Sequence, residues 1–92
     1  MTSKETKNRP VENVTEDIRN DKYLILHNDD VHTFDYVIDA LIDICDHDYE
    51  QAAQCTLIVH HKGKCDVKKG NFNTLKSMKD ALIHRELNAT ID

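Results

Sequence analysis

The chain has 92 residues, of which 39% are hydrophobic and 32% charged, with a formal net charge of −5 and no tryptophan. That length holds one domain, and the balance describes a soluble globular protein rather than a disordered or membrane one. A net acidic chain with few aromatic residues does not suit nucleic acid, and no stretch approaches the roughly 20 apolar residues of a membrane span.

Residues 1–21 mix charges of both signs with Asn, Thr and Pro10 and show no period, so a flexible N-terminal extension is expected ahead of a core domain over residues 22–92. The extension has no apolar run that could act as a secretory signal, so a cytoplasmic location is expected. Residues 23–27, YLILH, form a continuous apolar run and predict a short buried strand. The run stops at Asn28-Asp29-Asp30, with His27 and His32 on either side. Thr33 can cap a helix whose apolar positions are Phe34, Val37, Ile38, Leu41, Ile42 and Cys45. Asp46-His47-Asp48 breaks that pattern.

Asp48, followed three residues later by Gln51, resembles a capping box and opens a second helix expected to pack Ala52, Cys55, Ile58 and Val59. Gly63 is its natural stop. A weak strand is expected over residues 64–67, then a loop through Lys68-Lys69-Gly70-Asn71. A third helix over residues 74–85 carries Leu75, Met78, Ala81 and Leu82, and the alternation of Leu87, Ala89 and Ile91 suits a final half-buried strand. The order β-α-α-β-α-β gives an α/β (α+β) two-layer sandwich: a small three-stranded sheet packed on helices. The sheet should be mostly antiparallel, because the chain is too short for repeated parallel crossovers.

Charge is unevenly spread. Eight acidic and no basic residues lie between Asp29 and Glu50, whereas from Lys62 onward seven basic residues meet four acidic ones. The acidic half suits a cationic ligand or a basic partner face. Three cysteines, Cys45, Cys55 and Cys65, lack the spacing of a disulfide framework or a zinc knuckle. His60-His61 has no metal-ligand spacing, and no nucleophile motif or phosphate loop is present, so neither a metal, a cofactor nor an enzyme activity is expected.

Asn28-Asp29-Asp30 has two readings. Asn and Asp favour turns, and carboxylates just ahead of a helix complement its dipole. Alternatively the cluster holds an ammonium group, which has three donors and no acceptor and needs converging oxygens or a neutral imidazole. Local sequence alone favours the turn.

Two motifs in register change that balance. The run YLILHNDDVHTFDYVIDALIDIC, followed by AAQCTLIVHHKGK, resembles the ClpS family, adaptors of the Clp AAA+ protease. The family pattern is a strand ending in N-D-D, a helix, and a second helix ending in V-H-x-x-G-K, supplied here by Val59, His60, Gly63 and Lys64. The resemblance runs from residue 23 to the end, strongly to Lys64 and loosely after it.

It implies a binding module, not an enzyme, that recognises N-terminal degrons beginning with Leu, Phe, Tyr or Trp and hands them to a ClpA- or ClpC-type unfoldase; nothing in the sequence suggests an oligomer, so a monomer is expected. By position, Asn28 and His60 would take the α-amino group, with Asp29 and Asp30 adding negative charge. Leu26, His32, Phe34, Val37, Thr56, Val59 and Leu87 would line the side-chain pocket, and Glu50 and Lys64 would face the unfoldase. The extension resembles the family's delivery segment. A module of the same fold with an acidic face and no amine pocket is the alternative.

The chain departs from the family in places. Y-T-P-M-E-F is replaced by Val31-His32-Thr33-Phe34-Asp35-Tyr36, and Thr56 stands where a large aliphatic residue is usual. The segment after Lys64 is shorter, and H-P-L before the last strand is missing. Thr56, smaller and more polar, is expected to widen the pocket and shift its preference, and His32 to rim it and weaken amine binding at low pH.

Overall fold

A computed structural model describes residues 21–92; the expected N-terminal extension over residues 1–21 lies, but for its last residue, outside them. The elements are β1 (Lys22–His27), α1 (Phe34–Cys45), α2 (Tyr49–Lys62), β2 (Lys64–Gly70), α3 (Phe72–His84) and β3 (Asn88–Ile91). The sheet has the order β2-β1-β3, with β1 antiparallel to both neighbours, as expected from the short connections.

Local chemistry sets the helix ends. Thr33 accepts from the Tyr36 N–H, Asp48 from Gln51 and Asn71 from Thr74, each side chain taking one of the donors that a helix start leaves free. Gly63 ends α2 at φ 94°, a left-handed geometry that costs a side-chain-bearing residue more. Asp46 ends α1 at φ 62°, an unusual choice for an acidic residue at the negative end of a helix dipole.

The core lies between sheet and helices. Leu24 and Leu26 of β1 meet Ile38, Leu41 and Cys45 of α1, Ala52, Cys55 and Val59 of α2, and Leu75 and Leu82 of α3. Fully burying six to eight such side chains at roughly 1.5–3 kcal/mol each is the main favourable term.

Four expectations are corrected. The stretch Lys68-Lys69-Gly70-Asn71 is not a loop: β2 continues through Gly70, opposite Lys22, and Asn71 caps a helix that starts at Phe72 rather than residue 74. The register slips between Leu24 and Ile25, so that Leu24 faces Lys68 while Ile25 faces Asp66. Val67 is the extra residue of this bulge and is buried. In α2, Thr56 rather than Ile58 joins the buried stripe, and Ile58 is 37% exposed. Phe34 is not a core position of α1 but is 42% exposed at its first turn.

Candidate functional site

β1 delivers Asn28 to the C-terminal end of α2. The Asn28 N–H donates to the Gly63 carbonyl at 2.9 Å, and the Gly63 N–H donates to Val59 at 2.9 Å. One bend in Gly63 therefore joins the turn after β1 to the last turn of α2, where His60 stands. Unpaired carbonyls at a helix C-terminus carry partial negative charge, so this end favours a cation.

Asp29 builds the next turn. Its Oδ1 accepts the Val31 and His32 backbone N–H groups at 2.9 and 3.0 Å, and both carboxylate oxygens lie 3.1 Å from His32 Nδ1. Burial pulls this carboxyl upward, but the two backbone donors and the His32 imidazole outweigh it, holding it below the ordinary aspartate value. The His32 ring stacks on Tyr36 with centroids 4.6 Å apart, and Tyr36 Oη donates to the Arg85 carbonyl at 2.8 Å. Phe34 meets His60 edge-on at 5.3 Å.

These groups surround one cavity between β1, α1 and α2. Its apolar lining is Leu26, Phe34, Val37, Val59 and Leu87, with Thr56 among them; its polar lining is Asn28, Asp29, His32 and His60. Its empty space, including the open mouth, amounts to about 370 Å³. Every residue assigned to the amine site or pocket from sequence lines it except Asp30, which is exposed beside it. His27 and Thr33 also line the cavity and were not assigned. Glu50 lies elsewhere, on an open groove along α2 with Tyr49 and Leu57, and Lys64 is exposed at the start of β2.

The polar wall divides into engaged and free groups. His27 Nε2 lies 2.8 Å from Thr90 Oγ1, Thr33 Oγ1 caps α1, and Thr56 Oγ1 donates to the Ala52 carbonyl at 2.8 Å. Thr56 thus turns its hydroxyl hydrogen back onto its own helix. Among the described residues, no partner is seen for the Asn28 carboxamide, the His60 ring nitrogens or His32 Nε2.

Sequence reasoning missed His47, passed over as part of a helix break. It is 4% exposed, and its Nε2–H donates to the carbonyl of the bulged Val67 at 2.6 Å. Lys68 Nζ donates to the Cys45 carbonyl at 3.0 Å beside it, so the α1–α2 junction is tied to β2 twice. Among the described residues, no group of three or more His, Cys, Asp or Glu side chains could hold a metal ion, and no helix is long and apolar enough to cross a membrane.

Comparison with known proteins bears on the site. Residues 18–90 match the family described as "ATP-dependent Clp protease adaptor protein ClpS". The ClpS adapter proteins of two Campylobacter jejuni strains, RM1221 and 81116, are each 48% identical over 40 residues, which cover 44% of this chain and 42% of the relative. The alignment thus spans less than half the length of those relatives. The structure of Agrobacterium tumefaciens ClpS2 bound to L-phenylalaninamide has the same fold, with a TM-score of 0.73 at 18% identity over 79% of this chain and 95% of that one.

Proposed function

The chain belongs to the ClpS family of adaptors of the ATP-dependent Clp protease, and from that premise we propose that its cavity binds the first residue of N-degron substrates for delivery to a ClpA- or ClpC-type unfoldase. The supporting observation is one cavity that gathers Asn28 and His60 at the C-terminus of α2 beside an apolar wall of Leu26, Val37, Val59 and Leu87. In this reading the substrate's α-ammonium donates to the Asn28 carbonyl oxygen and to a neutral His60 nitrogen. Asp29 contributes negative charge while remaining bonded to His32, and the exposed Asp30 acts only at longer range.

Charge-assisted hydrogen bonds contribute about 1.5–3 kcal/mol each and burying a Leu or Phe side chain about 1.5–3 kcal/mol more, gains that are set against the cost of association. The half-exposed Phe34 ring lines the same cavity and would flank a bulky first side chain. Phenylalaninamide, the ligand of the Agrobacterium structure, has the two features this site would read: a free amine and a large apolar side chain. Glu50 and Lys64 lie outside the cavity and would face the unfoldase, with the protein acting as a cytoplasmic monomer.

Fluorescence anisotropy with matched peptides beginning Leu, Phe, Tyr, Trp or Val, free or N-acetylated, tests the reading. Bulky free N-termini are expected to bind saturably, and acetylation, Asn28→Ala or His60→Ala to weaken them at least about tenfold. Equal binding of acetylated peptides refutes it.

A further inference from the structure

The ring of His32 stands in the cavity wall, 13% exposed, and is fixed on two sides. One face lies on Tyr36, with an interplanar angle of 18°. Its Nδ1 meets both oxygens of Asp29 at 3.1 Å. An ionised carboxylate only accepts hydrogen bonds, so Nδ1 carries the hydrogen, and the neutral ring then bears its lone pair on Nε2. Among the described residues nothing donates to that Nε2. The remaining hydroxyls of the wall are engaged: Thr56 donates to the Ala52 carbonyl, and Thr33 caps α1.

His32 also packs on a residue outside the cavity lining. Its stacking partner, Tyr36, reaches the Arg85 carbonyl, two residues before the wall residue Leu87. The amine end is organised instead by Gly63, which holds Asn28, and by the last turn of α2, where His60 meets Phe34. A ligand side chain in this cavity meets Leu26, Val37, Val59 and Leu87 together with one fixed acceptor, His32 Nε2.

We propose that His32 Nε2 makes the cavity selective for a first side chain with its own O–H or N–H donor, favouring N-terminal Tyr and Trp over Phe and Leu; this rests on the degron-binding reading above. A phenol or indole donor pairs with Nε2. A phenyl ring displaces the water there and leaves a desolvated acceptor without a partner, the costlier side of hydrogen-bond exchange. Asp29 acts here as a positioning residue, through the tautomer and orientation it imposes on the ring.

The test compares matched free peptides beginning Tyr, Trp, Phe and Leu on the wild-type chain and on His32→Phe, which keeps a flat ring against Tyr36 but has no acceptor. The wild type is expected to bind Tyr about tenfold more tightly than Phe. In the variant that ratio falls to about one, chiefly through loss of Tyr affinity. Nitrogen-15 spectra of the imidazole should show Nδ1 protonated and Nε2 bare, with Nε2 shifting when the Tyr peptide binds but not the Phe peptide. These spectra and the wild-type ratio decide the matter even if the variant folds poorly. Equal Tyr and Phe affinity in the wild type overturns the proposal. So does a uniform loss across all four peptides in His32→Phe, which would mean that His32 serves the amine. Absence of binding by every peptide on folded protein overturns the degron-binding reading itself, a distinguishable failure.

Discussion

Asp29→Asn separates the charge of Asp29 from its shape. Asparagine can keep the turn, because its amide oxygen can accept from Val31 and His32 as Asp29 Oδ1 does at 2.9 and 3.0 Å. What goes is the charge assistance on those bonds and the attraction for the His32 imidazole. Hydrogen bonds to ionised groups contribute roughly 1 kcal/mol more than neutral ones. The Asp29 side chain is 24% exposed, so part of that gain is screened. For two such bonds and one imidazole contact the expected loss is about 1–2 kcal/mol at pH 7, a fall in melting temperature of roughly 5–15 °C for a domain of this size.

The pH dependence is equally specific. The Asp29 carboxyl titrates lower in the folded chain than in the unfolded one. Its contribution is therefore complete above about pH 4, the unfolded value, and is lost as pH falls through the lower folded value. Urea unfolding of wild type and variant at pH 7, 5, 4 and 3 measures the difference. It should hold constant from pH 7 to 5 and shrink below 4. Equal stability at pH 7, or a gap that persists undiminished at pH 3, would show that Asp29 holds the turn by shape alone.

Three further outcomes are expected. Gly63→Ala destabilises by about 1–2 kcal/mol in urea unfolding, because a left-handed residue gains a Cβ; that Cβ meets nothing within 4 Å, so the cost is conformational rather than steric. A stability equal to wild type would show that the φ of 94° at this position relaxes freely. Thr56→Val changes folding stability by less than about 1 kcal/mol, since no buried donor is stranded, and leaves peptide affinity within about threefold; a large loss of affinity would mean that the hydroxyl contacts the ligand. Burial pushes the Cys45 thiol up to about 11 and the Cys65 thiol up to about 12, so near neutral pH alkylation by iodoacetamide should run at least about tenfold slower in folded than in urea-unfolded protein. Equal rates would contradict that protection.

Much of the architecture is legible because its signals are local. Thr33, Asp48 and Gly63 mark helix ends by side-chain chemistry that needs no tertiary partner, and they fall where expected. β2 escaped recognition beyond Val67 because its pattern is a tertiary matter. Lys68 can sit opposite Leu24 only because its long stem runs along the sheet and its ammonium finds the Cys45 carbonyl. Ile58 and Thr56 show the limit of hydrophobicity in choosing a helix face: the stripe Ala52, Cys55, Thr56, Val59 is set by α2's docking, and Thr56 enters it by bonding its own backbone. The cavity residues could be collected from sequence only through two motifs read in register. The roles of Asp29 as a turn former and of His32 as a fixed ring depend on geometry that no spacing discloses.

Recognition of a free α-amino group by Asn28 and His60 is tested most directly by titrating nitrogen-15-labelled protein with L-phenylalaninamide and with its N-acetyl derivative. The amine site predicts that the free form shifts the resonances of Asn28, His60, Thr56, Val59 and Leu87 saturably, leaving the α2 groove around Glu50 and Leu57 unmoved, while the acetylated form shifts none at equal concentration. Equal shifts from both compounds, or shifts confined to the α2 groove, would contradict the amine site and favour a ClpS-like scaffold that binds partners through its acidic face.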